Sequence, residues 1–89
     1  MRSHLTPAFR RLFAELPAEV QKRARQSYEM WKADPAHPSV GFKHVHPRQP
    51  IYSVRAGLGW RALGLRQDDS IIWFWIGSHA EYDRLLKRL

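Results

Sequence analysis

The sequence predicts an α+β fold, with a helical hairpin packed on a small antiparallel β-sheet and a C-terminal helix closing the chain. Three observations predict it. Apolar residues recur at helical spacing up to Ala33, the period becomes that of strands between Gly41 and Ile76, and helical spacing returns after Ser78. Eighty-nine residues, 44% hydrophobic and 26% charged, suit one domain over 1–89 with a single core and roughly 4–13 kcal/mol of stability.

Residues 1–5 have the length for a short first strand, with polar Ser3 and His4 against it. Thr6-Pro7 then starts a helix, because threonine caps free N–H groups and proline fits the first turn. Phe9, Leu12, Phe13 and Leu16 form its apolar stripe, and Arg10, Arg11 and Glu15 lie off it. Pro17 ends this helix and opens a second over 17–33, with Val20, Ala24, Ser27, Tyr28 and Trp31 inward and Asp34-Pro35 as its stop. Four strands follow at 42–46, 51–56, 60–65 and 70–76, separated by Pro47, Pro50, Gly57-Leu58-Gly59 and Asp68-Asp69. Turns this short imply an antiparallel meander. The run from Ile71 to Ile76 is apolar on both faces and predicts a central strand, covered by the hairpin on one side and partly by the last segment on the other. Tyr82, Leu85, Leu86 and Leu89 give that last segment its helical stripe.

Fifteen Lys and Arg against eight Asp and Glu leave a net charge of +7. No acidic residue occurs between Asp34 and Asp68, while Lys43, Arg48, Arg55, Arg61 and Arg66 place +5 there beside His37, His44 and His46. A positive surface without carboxylates suits a polyanion such as nucleic acid; the plain alternative is a solvated basic face. The absence of cysteine excludes disulfide staples and thiolate zinc sites and points to a reducing cytoplasm. No apolar run approaches the roughly 20 residues of a membrane helix and no signal-peptide core follows Met1, so no membrane partner is expected.

The turn into the final helix carries the most chemistry. Ser78-His79-Ala80-Glu81 matches a capping box and puts His79 at the first helical position, where free N–H groups form a local anion site. An imidazole beside a bound phosphate is a proton-transfer group at neutral pH. Tyr82 lies one turn on, although its place in the sheet-facing stripe suits a core role equally. Arg61 sits among apolar residues on a strand, where a charge needs a partner such as Glu15 or Glu29, or a cleft open to phosphate. Arg55 and Arg61 flank one turn as neighbours on adjacent strands, and guanidinium forks match phosphate oxygens. Lys43, His44, His46 and Arg48 form a second basic cluster. If that segment is extended, His44 and His46 share a side, which is half a metal site without a third ligand at matching spacing. No cofactor is called for, and the shortage of acids argues against a two-metal nuclease, so RNA cleavage here would be metal-independent. Trp60, Trp73 and Trp75 have two uses, core filling or base stacking.

Taken in order, Phe42-Lys43, Ile51-Tyr52-Ser53-Val54-Arg55, Gly59-Trp60-Arg61-Ala62-Leu63-Gly64 and the run from Trp73 to Tyr82 resemble the RelE/ParE superfamily of type II toxin–antitoxin toxins over nearly the whole chain. The resemblance implies a microbial-ribonuclease-like layout. For the RelE branch it implies a ribosome-dependent mRNA endonuclease that inhibits translation and growth, in which basic residues drive attack of the ribose 2′-hydroxyl on the adjacent phosphate. By that resemblance Arg61 is the phosphate-stabilising arginine, His79 the basic residue after the last strand and Tyr82 the aromatic that orients or stacks. Lys43, His44, His46 and Arg55, with Arg48 in the same cluster, line the RNA-binding cleft. The implied partners are mRNA on the ribosome, with rRNA contacts, and a small cognate antitoxin masking the basic cleft and the apolar surface beside the final helix. The ParE branch shares the fold and poisons DNA gyrase by binding it, and an inactive basic RNA-binding module is the third reading.

Overall fold

A computed structural model describes residues 1–89. Its elements are β1 (Arg2–Leu5), α1 (Pro7–Ala14), α2 (Ala18–Ala33), a single 3-10 turn (Pro38–Val40), β2 (Lys43–His44), β3 (Ile51–Arg55), β4 (Trp60–Gln67), β5 (Ser70–Ser78) and α3 (His79–Arg88). The helix-start signals act as their chemistry requires. Thr6 is extended and its hydroxyl accepts the Phe9 N–H at 3.1 Å, with Pro7 in the first turn. The free carbonyls ending α1 are met from α2, where Gln21 Nε2 donates to Phe13 and Leu16 at 3.1 and 3.0 Å and ties the hairpin together. No helix is long and apolar enough to cross a membrane.

The sheet runs β1-β5-β4-β3-β2. Strands β2 to β5 form the expected antiparallel meander, and β1 joins β5 in parallel, with Ser3 opposite Ile71 and Leu5 opposite Trp73, so the sheet is mixed. The chain leaves β1 through both helices before reaching the meander, a connection long enough to permit parallel pairing. The polar Ser3 is accommodated by a hydrogen bond with the Tyr28 hydroxyl, and His4 points outward. β2 is two residues long, shorter than the expected 42–46, because the chain turns at His46 and carries prolines at 47 and 50. β4 runs further than expected, to Gln67 beside Asp68, which adopts φ +52° at the hairpin tip, and β5 runs on to Ser78 at its far end.

A bulge at Phe74 decides what covers β5. Leu63 pairs with Trp75 but Gly64 pairs with Trp73, so Phe74 is the extra residue and the alternation of faces shifts across it. Ile71, Trp73 and Ile76 therefore face the helical hairpin, in one cluster with Phe9, Trp31 and Val54. Phe74 and Trp75 pack on the opposite side with Ile51, Leu63 and Tyr82, beneath Leu85 and Leu86 of α3. The expected single core is thus two apolar layers on either face of one sheet.

Gly64 beside this bulge is required by crowding. A Cβ there would stand 2.7 Å from both Ile71 Cγ1 and Trp73 Cε3, side chains that are themselves fully buried. Gly64→Ala is expected to cost about 1–3 kcal/mol by overpacking, read as a lower urea midpoint at unchanged slope.

Candidate functional site

The site is built where the β3–β4 hairpin meets the start of α3. Gly57 and Gly59 turn the chain at φ +125° and +78°, closing the hairpin through Ala56 N–H to Trp60 O (3.0 Å) and Trp60 N–H to Gly57 O (3.2 Å). The His79 N–H donates to the Gly59 carbonyl at 2.8 Å, locking the helix start onto this hairpin. Across the sheet Arg55 lies opposite Arg61, and Arg61 opposite Gly77, two residues before His79. Alternation puts both arginines on the face that α3 covers, with Lys43, Ser53 and Leu63 in the neighbouring row.

Neither arginine is neutralised. Arg61 is half-buried and donates only to the Trp60 carbonyl at 3.3 Å. Arg55 is exposed, donates to Pro38 O at 3.3 Å and lays its guanidinium over Gly41, where a Cβ would stand 3.3 Å from Arg55 Cζ. The carboxylates expected as possible partners are elsewhere: Glu29 pairs with Lys32 at 3.7 Å, and Glu15 reaches no cation. The Lys and Arg side chains that do enter ion pairs, Arg23 and Lys32, are both on α2. All five cations of the acid-free window are thus left unpaired, and Arg55 and Arg61, with Lys43 in the next row, make the field at this end of the sheet favour anions.

At the start of α3 the Ser78 hydroxyl accepts the Glu81 N–H at 3.2 Å, while Glu81 Oε1 accepts the Ser78 N–H at 3.0 Å and its hydroxyl at 2.9 Å. The Ser78 N–H, then its hydroxyl, hold the Glu81 carboxyl below its usual value, with Arg84 adding a smaller pull in the same direction. Because the folded pKa is depressed, this contribution to stability is present above the usual carboxylate range and lost as pH falls through the folded value. Ser78→Ala is expected to cost about 1 kcal/mol at neutral pH. Thermal denaturation of both proteins at pH 7 and pH 3 should show the difference narrowing in acid.

His79 follows as the first helical residue, with its ring about half exposed. Its Nδ1 lies 3.1 Å from Asp83 Oδ2, and its ring meets that of Tyr82 edge-on at 5.6 Å. Tyr82 is 6% exposed and belongs to the α3-side core, so one side chain both fills the core and walls the imidazole.

The second basic cluster does not stay together. Lys43 shares the face of Arg55 and Arg61. His44 is on the other face, stacked on Tyr52 at 5.2 Å, with Nε2 2.7 Å from Gln49 O. His46 is outside the strand: its Nδ1 accepts the N–H groups of Arg48 and Gln49, and its Nε2 lies 2.7 Å from Leu89 O. That ring holds a turn and the C-terminal end of α3, and Arg48 sits in the same turn. Ten residues of helix, about 15 Å, separate it from His79. The expected common side for His44 and His46 fails because the strand stops between them. No three His, Asp or Glu side chains gather where a metal could be held.

The tryptophans are core residues. Trp73 is buried, Trp60 packs on the hairpin-side cluster, and Trp75 packs beneath α3, its ring over Gly77. One contributor was not singled out by sequence reasoning: Asp83 carried the i,i+4 signal toward His79. Arg66, one of the five cations, lies on the hairpin face with its guanidinium over Tyr52 at 5.2 Å. A cavity of about 610 Å³ is on the hairpin side and lined by residues such as Phe9, Phe13, Tyr28, Trp31 and Trp73. Its walls are mostly apolar and suit hydrophobic side chains, and Arg55 at its edge is shared with the cationic site.

The family model described as the ParE-like toxin domain matches residues 18–84, from α2 into α3. No curated protein matches the sequence. Among solved structures, a chain of the RelB–RelE antitoxin–toxin complex from Methanococcus jannaschii superposes with a TM-score of 0.71 at 17% identity, covering 91% of this chain and 96% of that one. A toxin–antitoxin complex from Mycobacterium tuberculosis gives 0.69 at 16% identity, covering 86% and 95%, and the archaeal RelE–RelB complex from Pyrococcus horikoshii gives 0.67 at 13%, covering 88% and 93%. At such identities these structures establish the shared α+β fold. With the family match extending over most of its length on that fold, the chain belongs to the ParE-like toxin domains of the RelE/ParE superfamily.

Proposed function

We propose that this toxin is a ribosome-dependent mRNA endonuclease. The observation that carries the reading is the Arg55–Arg61 pair, free of carboxylates, at the end of the sheet where the half-exposed His79 opens α3. In that reaction the ribose O2′ forms a bond to phosphorus and the P–O5′ bond breaks. One proton leaves the 2′-hydroxyl and one reaches O5′, so the products are a 2′,3′-cyclic phosphate and a 5′-hydroxyl. His79 serves as a proton-transfer group, and the Arg61 guanidinium stabilises the charge that builds on the phosphorane oxygens. Arg55 and Lys43 hold flanking phosphates from the same face, and Tyr82 walls the imidazole. Action on the ribosome places the protein in the cytoplasm. An antitoxin, as in the complexes of the structural neighbours, supplies an acidic or amphipathic segment that masks the basic cleft and adjoining apolar surface.

The ParE-like family match favours a second reading, a non-enzymatic toxin that binds DNA gyrase and uses the basic surface for contact. Pulse labelling after induction separates the two. The endonuclease reading predicts that amino-acid incorporation stops within minutes while DNA stays intact. DNA breaks and filamentation with translation continuing would establish the gyrase reading, and no effect on either would leave a basic RNA-binding module.

A further inference from the structure

We propose that Asp83 is a positioning residue that holds the His79 imidazole with Nε2 free for proton transfer; this rests on the endonuclease reading above. Asp83 lies one turn after His79 on α3, and its Oδ2 faces Nδ1 at 3.1 Å. A carboxylate accepts a hydrogen bond and cannot donate one, so Nδ1 carries the proton and the lone pair of the neutral ring is on Nε2. No protein group bonds Nε2.

The neighbouring acid is not available for this task, because Glu81 is occupied by the N–H and hydroxyl of Ser78. Asp83 pairs with no Lys or Arg and is dedicated to the imidazole. The buried Tyr82 meets the ring edge-on at 66°, with the centroids 5.6 Å apart. The other histidines held by hydrogen bonds are used differently. His37 and His46 accept backbone N–H groups at Nδ1, and His44 meets a carbonyl at Nε2. His79 is the imidazole paired to a carboxylate. Whether the 2′-hydroxyl proton is taken or the O5′ proton is given, it moves through Nε2, so the hydrogen bond at Nδ1 serves either role.

Both side chains are about half exposed, and an exposed pair of this kind adds little to stability, so removing Asp83 leaves the fold in place. The test uses the full chain, uniformly labelled with nitrogen-15, as wild type, Asp83→Ala and Asp83→Asn. Long-range proton–nitrogen spectra of the neutral ring should show the Nδ1–H tautomer in wild type and a shift toward Nε2–H in Asp83→Ala. Asp83→Asn, whose amide oxygen can accept the same bond, should retain Nδ1–H. On programmed ribosomes Asp83→Ala should cut with kcat lowered about tenfold or more at unchanged KM, with Asp83→Asn intermediate. An unaltered tautomer or an unaltered kcat in Asp83→Ala would overturn the positioning role. A wild-type protein that holds the tautomer yet cuts no message would overturn the endonuclease reading instead.

Discussion

Replacing Arg61 or His79 by alanine is expected to abolish growth inhibition while the protein stays folded. Loss of a preorganised cation aimed at developing charge costs about 10²–10³-fold in rate, and loss of a positioned proton-transfer group about 10²–10⁴-fold. On the endonuclease reading, either loss is expected to relieve the arrest. Arg61 forms no ion pair, so its removal strands no carboxylate, and its one hydrogen bond is to the carbonyl of its own neighbour. The substitution at His79 leaves the backbone bond to Gly59 and the Ser78–Glu81 cap standing. Colony counts after induction, with circular dichroism of the purified variants, check both halves of the expectation. Survival with intact fold supports the assignment, and retained killing in both variants would remove these residues from the mechanism.

Trp31→Ala is expected to have the largest effect on folding, costing about 3–5 kcal/mol. The indole is 1% exposed and joins three parts of the hairpin-side core. It meets Trp73 of β5 edge-on at 5.3 Å and Phe42 at 5.6 Å, and stacks on Tyr28 of its own helix at 6.1 Å. Against a total stability of roughly 4–13 kcal/mol, such a loss leaves much of the population unfolded or loosely packed at physiological temperature. The Trp31 Nε1 is buried without a partner, so phenylalanine, which removes that donor and much less volume, should cost clearly less. Urea denaturation followed by near-ultraviolet circular dichroism orders the three proteins.

What could be read from the sequence was what depends on neighbours in the chain. Thr6-Pro7 and Ser78-His79-Ala80-Glu81 carry their capping chemistry within four residues, and both caps form as that chemistry requires. The meander was legible because its turns are short. Contacts distant in sequence were not. β1 pairs with β5 across some seventy positions, and nothing in Arg2-Ser3-His4-Leu5 announces a parallel partner. The bulge at Phe74 is equally silent, since six consecutive apolar residues look alike under any alternation; it sends Trp73 and Trp75 to different layers.

The same division runs through the site. Arg61 and His79 lie at one end of the sheet, as strand alternation and a helix cap together imply. The grouping of His44, His46 and Arg48 with them assumed a strand that ends at His44, because the His46 ring prefers the N–H groups of its own turn and the Leu89 carbonyl. Asp83 is within reach of helix geometry, four residues from His79, whereas the cap signal in the sequence points to Glu81. Tyr82 takes the core role that its stripe offered, and the same stripe passes beside the imidazole.

The central claim is that Arg61 and His79 act together on a phosphodiester of translated mRNA. The most direct measurement maps new mRNA 5′ ends by primer extension within minutes of inducing the wild-type chain and His79→Ala. The account predicts cuts within translated frames that bear 5′-hydroxyl ends and vanish with the substitution. Growth arrest with every message intact, or cuts that persist in His79→Ala, would contradict it.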